Sequence, residues 1–403
     1  SQEMENKLRL ERRIYGDGGA KLTWGAQYEF AKFNNSTYVQ RYDVQQGSLL
    51  TFDFESAFDM HEYGAFVQAS QSMADGRVVL SGGVRIDGNE VNEQMANPFR
   101  QLSPRMALRW NVRPGLSFNA NVGRYYQLPS MLILGYAESG VRINALDADY
   151  TRCDQFVAGL RYDIGERNTT IGVEGFLKGY DGTPVSRTSG IALANLGADF
   201  GVVGNESVRF DGQGRSYGME VLAQRRLYKG IYGLMAYTWV RSEYEFDGTY
   251  APSAWDSRHI VSLTGGAKLK RDWEIGARWL YSGGLPYTPY DIDVSMDQTY
   301  WDSQGIPQLD YALLNSGRNA AFSQLDLRID KKWFFENWSL DVFMDIQNLF
   351  GQVPDAPPAL DVVRDQTTGT PVADPLDPSR YQPRYIQANA GSAIPAIGLI
   401  VEL

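Results

Sequence analysis

Apolar and polar residues alternate along this chain in short stretches, and the alternation has a period of two. Segment 154–163 puts Phe156, Ala158, Leu160 and Tyr162 on one face and Gln155, Arg161 and Asp163 on the other. Segment 169–180 sets Ile171, Val173 and Leu177 against Glu174, Lys178 and Tyr180. Segment 273–281 alternates Trp273, Ile275, Ala277, Trp279 and Tyr281 with Glu274, Gly276 and Arg278. Segment 325–333 sets Leu325, Leu327, Ile329 and Trp333 against Asp326, Arg328, Asp330 and Lys332. Period two with one charged face predicts strands, because successive side chains on a pleated strand point to opposite sides. The pattern predicts fifteen of them: 6–15, 20–34, 58–73, 76–88, 101–112, 115–126, 154–165, 168–181, 215–228, 230–244, 257–270, 273–284, 322–334, 337–350 and 394–403.

The connections between these segments are alternately very short and very long. Short joins include Asp17-Gly18-Gly19, Ala74-Asp75-Gly76-Arg77, Arg113-Pro114-Gly115, Gly165-Glu166-Arg167-Asn168, Lys229-Gly230, Lys270-Arg271-Asp272 and Glu336-Asn337. The long ones are polar, rich in Gly, Pro and aromatics, and run over 35–57, 88–100, 127–152, 182–213, 245–256, 285–321 and 351–393. A meander with tight turns on one rim and large loops on the other is the pattern of an outer-membrane β-barrel. Trp110, Tyr162, Tyr228, Trp273, Trp333 and Trp338 cluster beside the short turns. Amphipathic rings favour a membrane–water interface, so this girdle separates a barrel from a soluble sandwich, whose long loops would fall at both ends.

Length and composition narrow the picture further. Length alone, 403 residues, would suggest two or three soluble domains, but one closed sheet absorbs a chain of this size. Mean hydropathy is −0.35 and no apolar run approaches a helical span, so membrane helices are excluded while a barrel, whose two faces average out, is not. The net charge of −10 argues against a nucleic-acid partner. Cys153 is the sole cysteine and cannot form an internal disulfide, and no Cys/His spacing suggests a metal site or cofactor. The sequence starts at Ser1 with no secretory signal, so a chain that is either mature or cut is expected. Bacterial single-chain barrels have even strand numbers. Fifteen is odd and the first strand runs toward the short-turn rim, so further strands are expected before it.

Taken together, Glu62–Gln68 with Leu80–Asp87, Leu102–Pro129, Ser216–Glu220, Ser282–Pro289 and Leu340–Phe350 resemble TonB-dependent outer-membrane receptors, specifically the C-terminal barrel portion of a Bacteroidetes-type member. Glu62-Tyr63-Gly64-Ala65-Phe66-Val67-Gln68 with Leu80-Ser81-Gly82-Gly83-Val84-Arg85-Ile86-Asp87 is similar to a mid-barrel hairpin of that family. Leu102-Ser103-Pro104-Arg105 through Gly123-Arg124-Tyr125-Tyr126-Gln127-Leu128-Pro129 is similar to the next. Ser216-Tyr217-Gly218-Met219-Glu220, Ser282-Gly283-Gly284-Leu285-Pro286-Tyr287-Thr288-Pro289 and Leu340 to Phe350 follow in family order. The chain ends with Leu399, Val401 and Leu403 on one face, similar to the family's terminal assembly signal, although members usually end in an aromatic. The resemblance implies a 22-stranded antiparallel transmembrane barrel of which residues 1–403 supply about the last fifteen strands. It also implies an N-terminal plug, a TonB-contacting box and the first strands, all lying outside this sequence. A surface lipoprotein lid is a further partner in some such importers. The implied activity is TonB-coupled import of a scarce siderophore, glycan or peptide, with gating and no bond chemistry.

Candidate sites divide into three groups. Catalysis has little to stand on: only His61 and His259 exist, and the Asp256, Ser257, His259 run alternates faces rather than converging. The start of a calcium loop is mimicked by Asp291-Ile292-Asp293-Val294-Ser295-Met296-Asp297, but its sixth position is Met296 and its twelfth Asp302, not Gly and Glu. The expectation there is a strand extension with the acids on one face, with a bridging divalent ion as the alternative. The loops carry many rings (Tyr136, Trp255 and Tyr287 among them), and Tyr125, Tyr126, Tyr290, Tyr300 and Trp301 are the candidate ligand contacts, since rigid aromatics grip small extracellular ligands at little entropic cost. The luminal face, with Glu174, Glu220, Asp326, Asp330, Asp341 and Asp345 against Arg161, Arg278, Arg328 and Lys332, is expected to be the usual polar lining. Two other readings remain: a passive sixteen-stranded porin, with its extra strand near Arg384-Tyr385-Ile386-Gln387, and a structural or adhesive surface barrel. A barrel-embedded hydrolase comes last.

Overall fold

The computed structural model describes residues 1–43, 48–196, 204–386 and 391–403. Its strands in chain order are β1 (Gln2–Tyr15), β2 (Lys21–Asp43), β3 (Ser48–Met73), β4 (Val78–Asn89), β5 (Ser103–Arg113), β6 (Leu116–Gln127), β7 (Thr151–Ile164), β8 (Thr169–Ser186), β9 (Val208–Tyr228) and β10 (Ile231–Phe246). They continue with β11 (Thr249–Pro252), β12 (His259–Lys268), β13 (Trp273–Ser282), β14 (Pro286–Tyr287), β15 (Gly317–Arg318), β16 (Phe322–Phe334), β17 (Ser339–Gln347), β18 (Ala359–Val362), β19 (Pro383–Ile386) and β20 (Ile394–Glu402). One antiparallel sheet takes them in the order β1 to β10, then β12, β13, β16, β17 and β20, with β11 folding back on the top of β10. These are the fifteen staves the alternation predicts.

Register explains why the staves hold together as a wall. Across β5, β6, β7 and β8 the outward row runs Met106, Val122, Phe156, Leu177, and further down Trp110, Phe118, Leu160, Val173. At the other end of the sheet Leu340 faces Val401, Val342 faces Leu399 and Met344 faces Ile397. A one-residue slip would turn this entire band to the lumen, so the lipid face itself enforces the pairing. Leu160 is 52% exposed and Phe156 51%. Such continuous outward apolar rows mark a lipid-facing surface. Trp110, Tyr162, Trp273, Trp333 and Trp338 are exposed on this outer side near the short turns, as the girdle requires.

The short turns lie on one rim and are closed by residues able to take a left-handed backbone. Lys229 and Gly230 both have positive φ, 50° and 80°, which joins Tyr228 to Ile231 in a two-residue hairpin whose twist matches the strands. Inside the wall, aromatic rings lie flat over glycines of the neighbouring strand. The Phe176 ring occupies the space a Cβ on Gly218 would need, and Phe343 does the same over Gly398. The glycines let large rings lie along the wall instead of projecting across the lumen.

Two expectations change. Residues 35–57 are not a loop: β2 and β3 remain paired from Asn35↔Ser56 out to Asp43↔Ser48, forming a two-stranded ribbon that rises past the rim, while 44–47 lie outside the described residues. Its inner face is covered by loops rather than by lipid, with Thr37 and Ser56 buried and Phe54 packed against Tyr136, so the apolar alternation that identifies a stave fades while the β-branched and aromatic residues Thr37, Tyr38, Val39, Tyr42, Phe52 and Phe54 still favour strand. The segment at 384–387 is not a wall strand either. Arg384 pairs with Asp361, and Tyr385 with Leu360, in a separate hairpin of β18 and β19; Gln387 lies outside the described residues.

Candidate functional site

The long loops gather on the rim opposite the short turns and pack into two small cores of their own, the first extended by Ile133, Leu193 and Val208, which share Phe210 with it. The first joins Ala31 and Phe33 of β2 and Met60 of β3 with Met95 of α1 (Glu93–Ala96), Met131 and Leu134 of α2 (Met131–Gly135), and Tyr150. Buried asparagines tie its backbone. Asn144, in α3 (Ile143–Asp147), donates to the carbonyls of Ile133 (2.9 Å) and Glu206 (2.8 Å) and accepts from the Val208 amide (2.8 Å). Asn92 donates to the carbonyls of Ala145 and Ala148, and Asn89 to the Tyr150 hydroxyl. A loop that is buried must satisfy its own backbone groups, and a side-chain amide does so twice over. Burial pushes the Tyr136 hydroxyl up to about 12, with its hydrogen bond to Glu138 acting in the same direction. The Tyr150 phenol is likewise held well above its ordinary value by burial.

The second core surrounds residues 286–319 and 359–386. Met296, Trp301, Leu360 and Val362 form its interior, with Tyr290, Ile292 and Tyr381 packed on it. Here the 291–297 acids have a structural use. The expected strand extension is instead two short helices, α4 (Ile292–Ser295) and α5 (Gln298–Gln304). Asp291 accepts from the Val294 amide (3.0 Å) and Asp297 from the Tyr300 amide (3.0 Å), the positions where an aspartate best satisfies a helix's first free N–H groups. Asp293 pairs with Arg380 at 2.6 Å. Spaced acids therefore reflect two N-caps and an ion pair, and no cluster of three metal-ligating side chains exists among the described residues.

Between the two cores Asp256, with no exposed surface, anchors the rim. Arg318 donates to it at 2.8 Å and the Ser242 amide at 2.9 Å, with Arg241 at 3.4 Å. Arg241 continues to Glu243, which also binds Arg215. Asp256 thus faces arginines rather than His259, which is bonded to the Tyr237 hydroxyl at 3.0 Å, so the Asp-Ser-His run makes no triad. His61 is similarly bonded to Tyr28.

The five candidate rings fall in three places. Trp301, 4% exposed, is in the second core beside the half-buried Tyr290, and the neighbouring Tyr300, 5% exposed, donates its hydroxyl proton to Gln308 at 3.1 Å. Tyr126 packs on the first core. Tyr125, on the other face of the same strand, lines the lumen, where the Arg105 guanidinium lies 4.2 Å from its ring centre. Trp255, by contrast, stands 59% exposed on the mouth. Tyr125 also belongs to a hollow of about 370 Å³ in the inner wall, which Arg9, Phe66, Arg85 and Arg105 line with it. Arg9 rests 4.9 Å from the Phe66 ring and Arg85 is paired with Asp87. The arginines were legible only as inward-facing positions of separate strands; the sheet order brings them together.

The match to a known family decides what this architecture is. A family model described as TonB dependent receptor-like, beta-barrel, matches residues 2–349. The chain belongs to that family. TonB-dependent receptors are outer-membrane proteins of Gram-negative bacteria, and this chain is one of them. The family is made up of transport receptors rather than enzymes. Solved structures with the same fold include the ferric-catecholate import receptor Fiu of E. coli K12, at TM-score 0.61 and 12% identity over 99% of this chain and 54% of that one. The ferric citrate transporter FecA matches at TM-score 0.57 and 13% identity, over 99% of this chain and 54% of its own. The FrpB iron transporter of Neisseria meningitidis matches at TM-score 0.60 and 12% identity, over 98% and 56%. The chain spans about half the length of these TonB-dependent receptors.

Proposed function

We propose that this chain forms the wall and outer mouth of an active importer of a scarce extracellular ligand, driven by TonB. The observation that carries the reading is the one-sided loop assembly: two hydrophobic cores built above a wall whose inner face carries the arginine–tyrosine hollow. A passive pore has no use for so much ordered mass over its entrance, whereas a receptor needs a rigid frame for its ligand contacts. Receptors of similar fold carry ferric catecholates and ferric citrate by their names, and a copper transporter, OprC, shares the fold. A metal chelate is accordingly the first ligand class to test, ahead of a glycan or peptide. Tyr125, with Arg105 stacked on it, Tyr126 at the upper end of β6 and the loop ring Tyr290 are proposed as ligand-side residues; Tyr300 and Trp301 act as the frame behind them. The remaining staves, which would pair with the open edges of β1 and β20, and an N-terminal plug complete the receptor in this reading. A Bacteroidetes-type lipoprotein lid over the mouth is the outermost part of the proposal.

Uptake of radiolabelled ferric chelates by the native host, with and without the gene, tests it. Uptake that needs the gene and collapses with a protonophore is expected. Gene-dependent uptake of small solutes that ignores the protonophore would replace active import by a passive pore.

A further inference from the structure

The outer surface of the barrel carries a groove that the import reading does not use. It lies across β5 to β9 on the lipid side, has a volume of about 740 Å³, and its floor is apolar, made by Met106, Val122, Phe156 and Leu177. Arg124 with Asp154, and Arg215, close its upper end. All of these positions share the outward parity of the wall, since Val122 pairs with Phe156, Arg124 with Asp154, and Gly179 stands between Asp154 and Arg215.

Height identifies the layer. Arg124 is eight residues along β6 from Leu116 at the short turn. At ~3.4 Å per residue and a tilt of ~40°, that is roughly 20 Å above the turn rim, at the upper margin of an apolar band about 25 Å tall. The arginines therefore sit where acyl chains end and headgroups begin, on the loop-bearing side. The lower margin is ringed by tryptophans instead.

Charge and shape both point outward. Arg124 holds Asp154 with Nε and Nη2, and Arg215 holds Glu243, which leaves further N–H donors on each guanidinium. Between them Gly179 opens a notch: a Cβ placed there would meet nothing within 4 Å. Each outward arginine is met by one carboxylate, Arg124 by Asp154 and Arg215 by Glu243, so what the notch offers an anion is the pair of unused guanidinium edges. We propose that this groove holds an anionic lipid of the external leaflet, its phosphate in the Gly179 notch between Arg124 and Arg215 and an acyl chain along Val122, Phe156 and Leu177. A phosphate fits a guanidinium fork, and the apolar floor selects the lipid over the free ion.

The test takes the receptor purified from its own outer membrane and reconstitutes it in nanodiscs of equal phosphatidylglycerol and phosphatidylcholine. Native mass spectrometry then counts lipids that survive a detergent wash. Wild type should retain phosphatidylglycerol about fivefold over phosphatidylcholine, and millimolar inorganic phosphate should not displace it. Arg124→Gln with Arg215→Gln should abolish the preference, and Gly179→Leu, which fills the notch and keeps both arginines, should abolish retention. Arg271→Gln on the opposite rim should behave as wild type. Equal retention of the two lipids by wild type overturns the proposal without any variant having to fold. So does a preference that survives the double substitution, or displacement by inorganic phosphate, which would make this a free-anion site.

Discussion

Asp256 shows how much one side chain can organise at the rim of a barrel. It is fully buried and bonded to Arg318 and the Ser242 amide, with Arg241 near. Removing one member of a buried ion pair leaves the others uncompensated, at a cost of about 3–5 kcal/mol. Asp256→Ala should therefore loosen residues 253–258 and 315–318 while the staves stay intact. Hydrogen exchange measured per segment checks this, and unchanged protection at 315–318 would refute it. Tyr136 makes a second residue-scale case. Its hydroxyl is raised from 10 to about 12, chiefly by burial, so the folded loop prefers the protonated form. The stabilisation is complete below pH 10 and declines between pH 10 and 12, as the unfolded state gives up a proton that the folded state keeps. An alkaline titration of loop protection should show this decline in wild type and lose it in Tyr136→Phe.

At the scale of elements, α4 and α5 explain the acidic run better than a metal does. Asp291→Ala and Asp297→Ala should each cost about 1 kcal/mol of local helix stability. Trp301 fluorescence should report the loosening, because the ring is buried in the same core. Calcium or a chelator should leave that fluorescence unchanged; a calcium-dependent shift would restore the ion-site reading. The staves make the complementary prediction. Leu160 sits mid-wall on the lipid face of β7, so Leu160→Arg should destabilise by about 2–4 kcal/mol, whereas a charge at luminal Gln155 should cost much less. Denaturant titration in detergent micelles separates the two. Helical caps could have been read from Asp followed three residues later by a free amide, but four- and seven-residue helices leave no periodicity to find.

For the whole molecule, the order of the fifteen staves, their short turns and their two faces were all legible in the sequence, as was family membership. Each stave pairs with its sequence neighbour, so a local reading of alternation and turn chemistry sufficed. The polar ribbon of β2 and β3 above the membrane was not legible, because its inner face is covered by loop contacts such as Phe54 with Tyr136 and Thr37 with Asn205, and polar residues there carry no hydrophobic code. Neither was the fate of the candidate rings. Tyr125 and Tyr126 are adjacent in sequence yet face the lumen and a loop core, and Trp301 is interior while Trp255 is exposed.

The alternation and the turns by themselves determined an antiparallel membrane-spanning wall, because lipid on one side and water on the other impose a period that local sequence must carry. Only the tertiary structure decided which loop residues are frame and which are surface, and which arginines from separate strands share one hollow or one groove. Those outcomes depend on contacts between segments far apart in the chain, such as Asn144 with Glu206 or Asp256 with Arg318, and no local pattern encodes such distances.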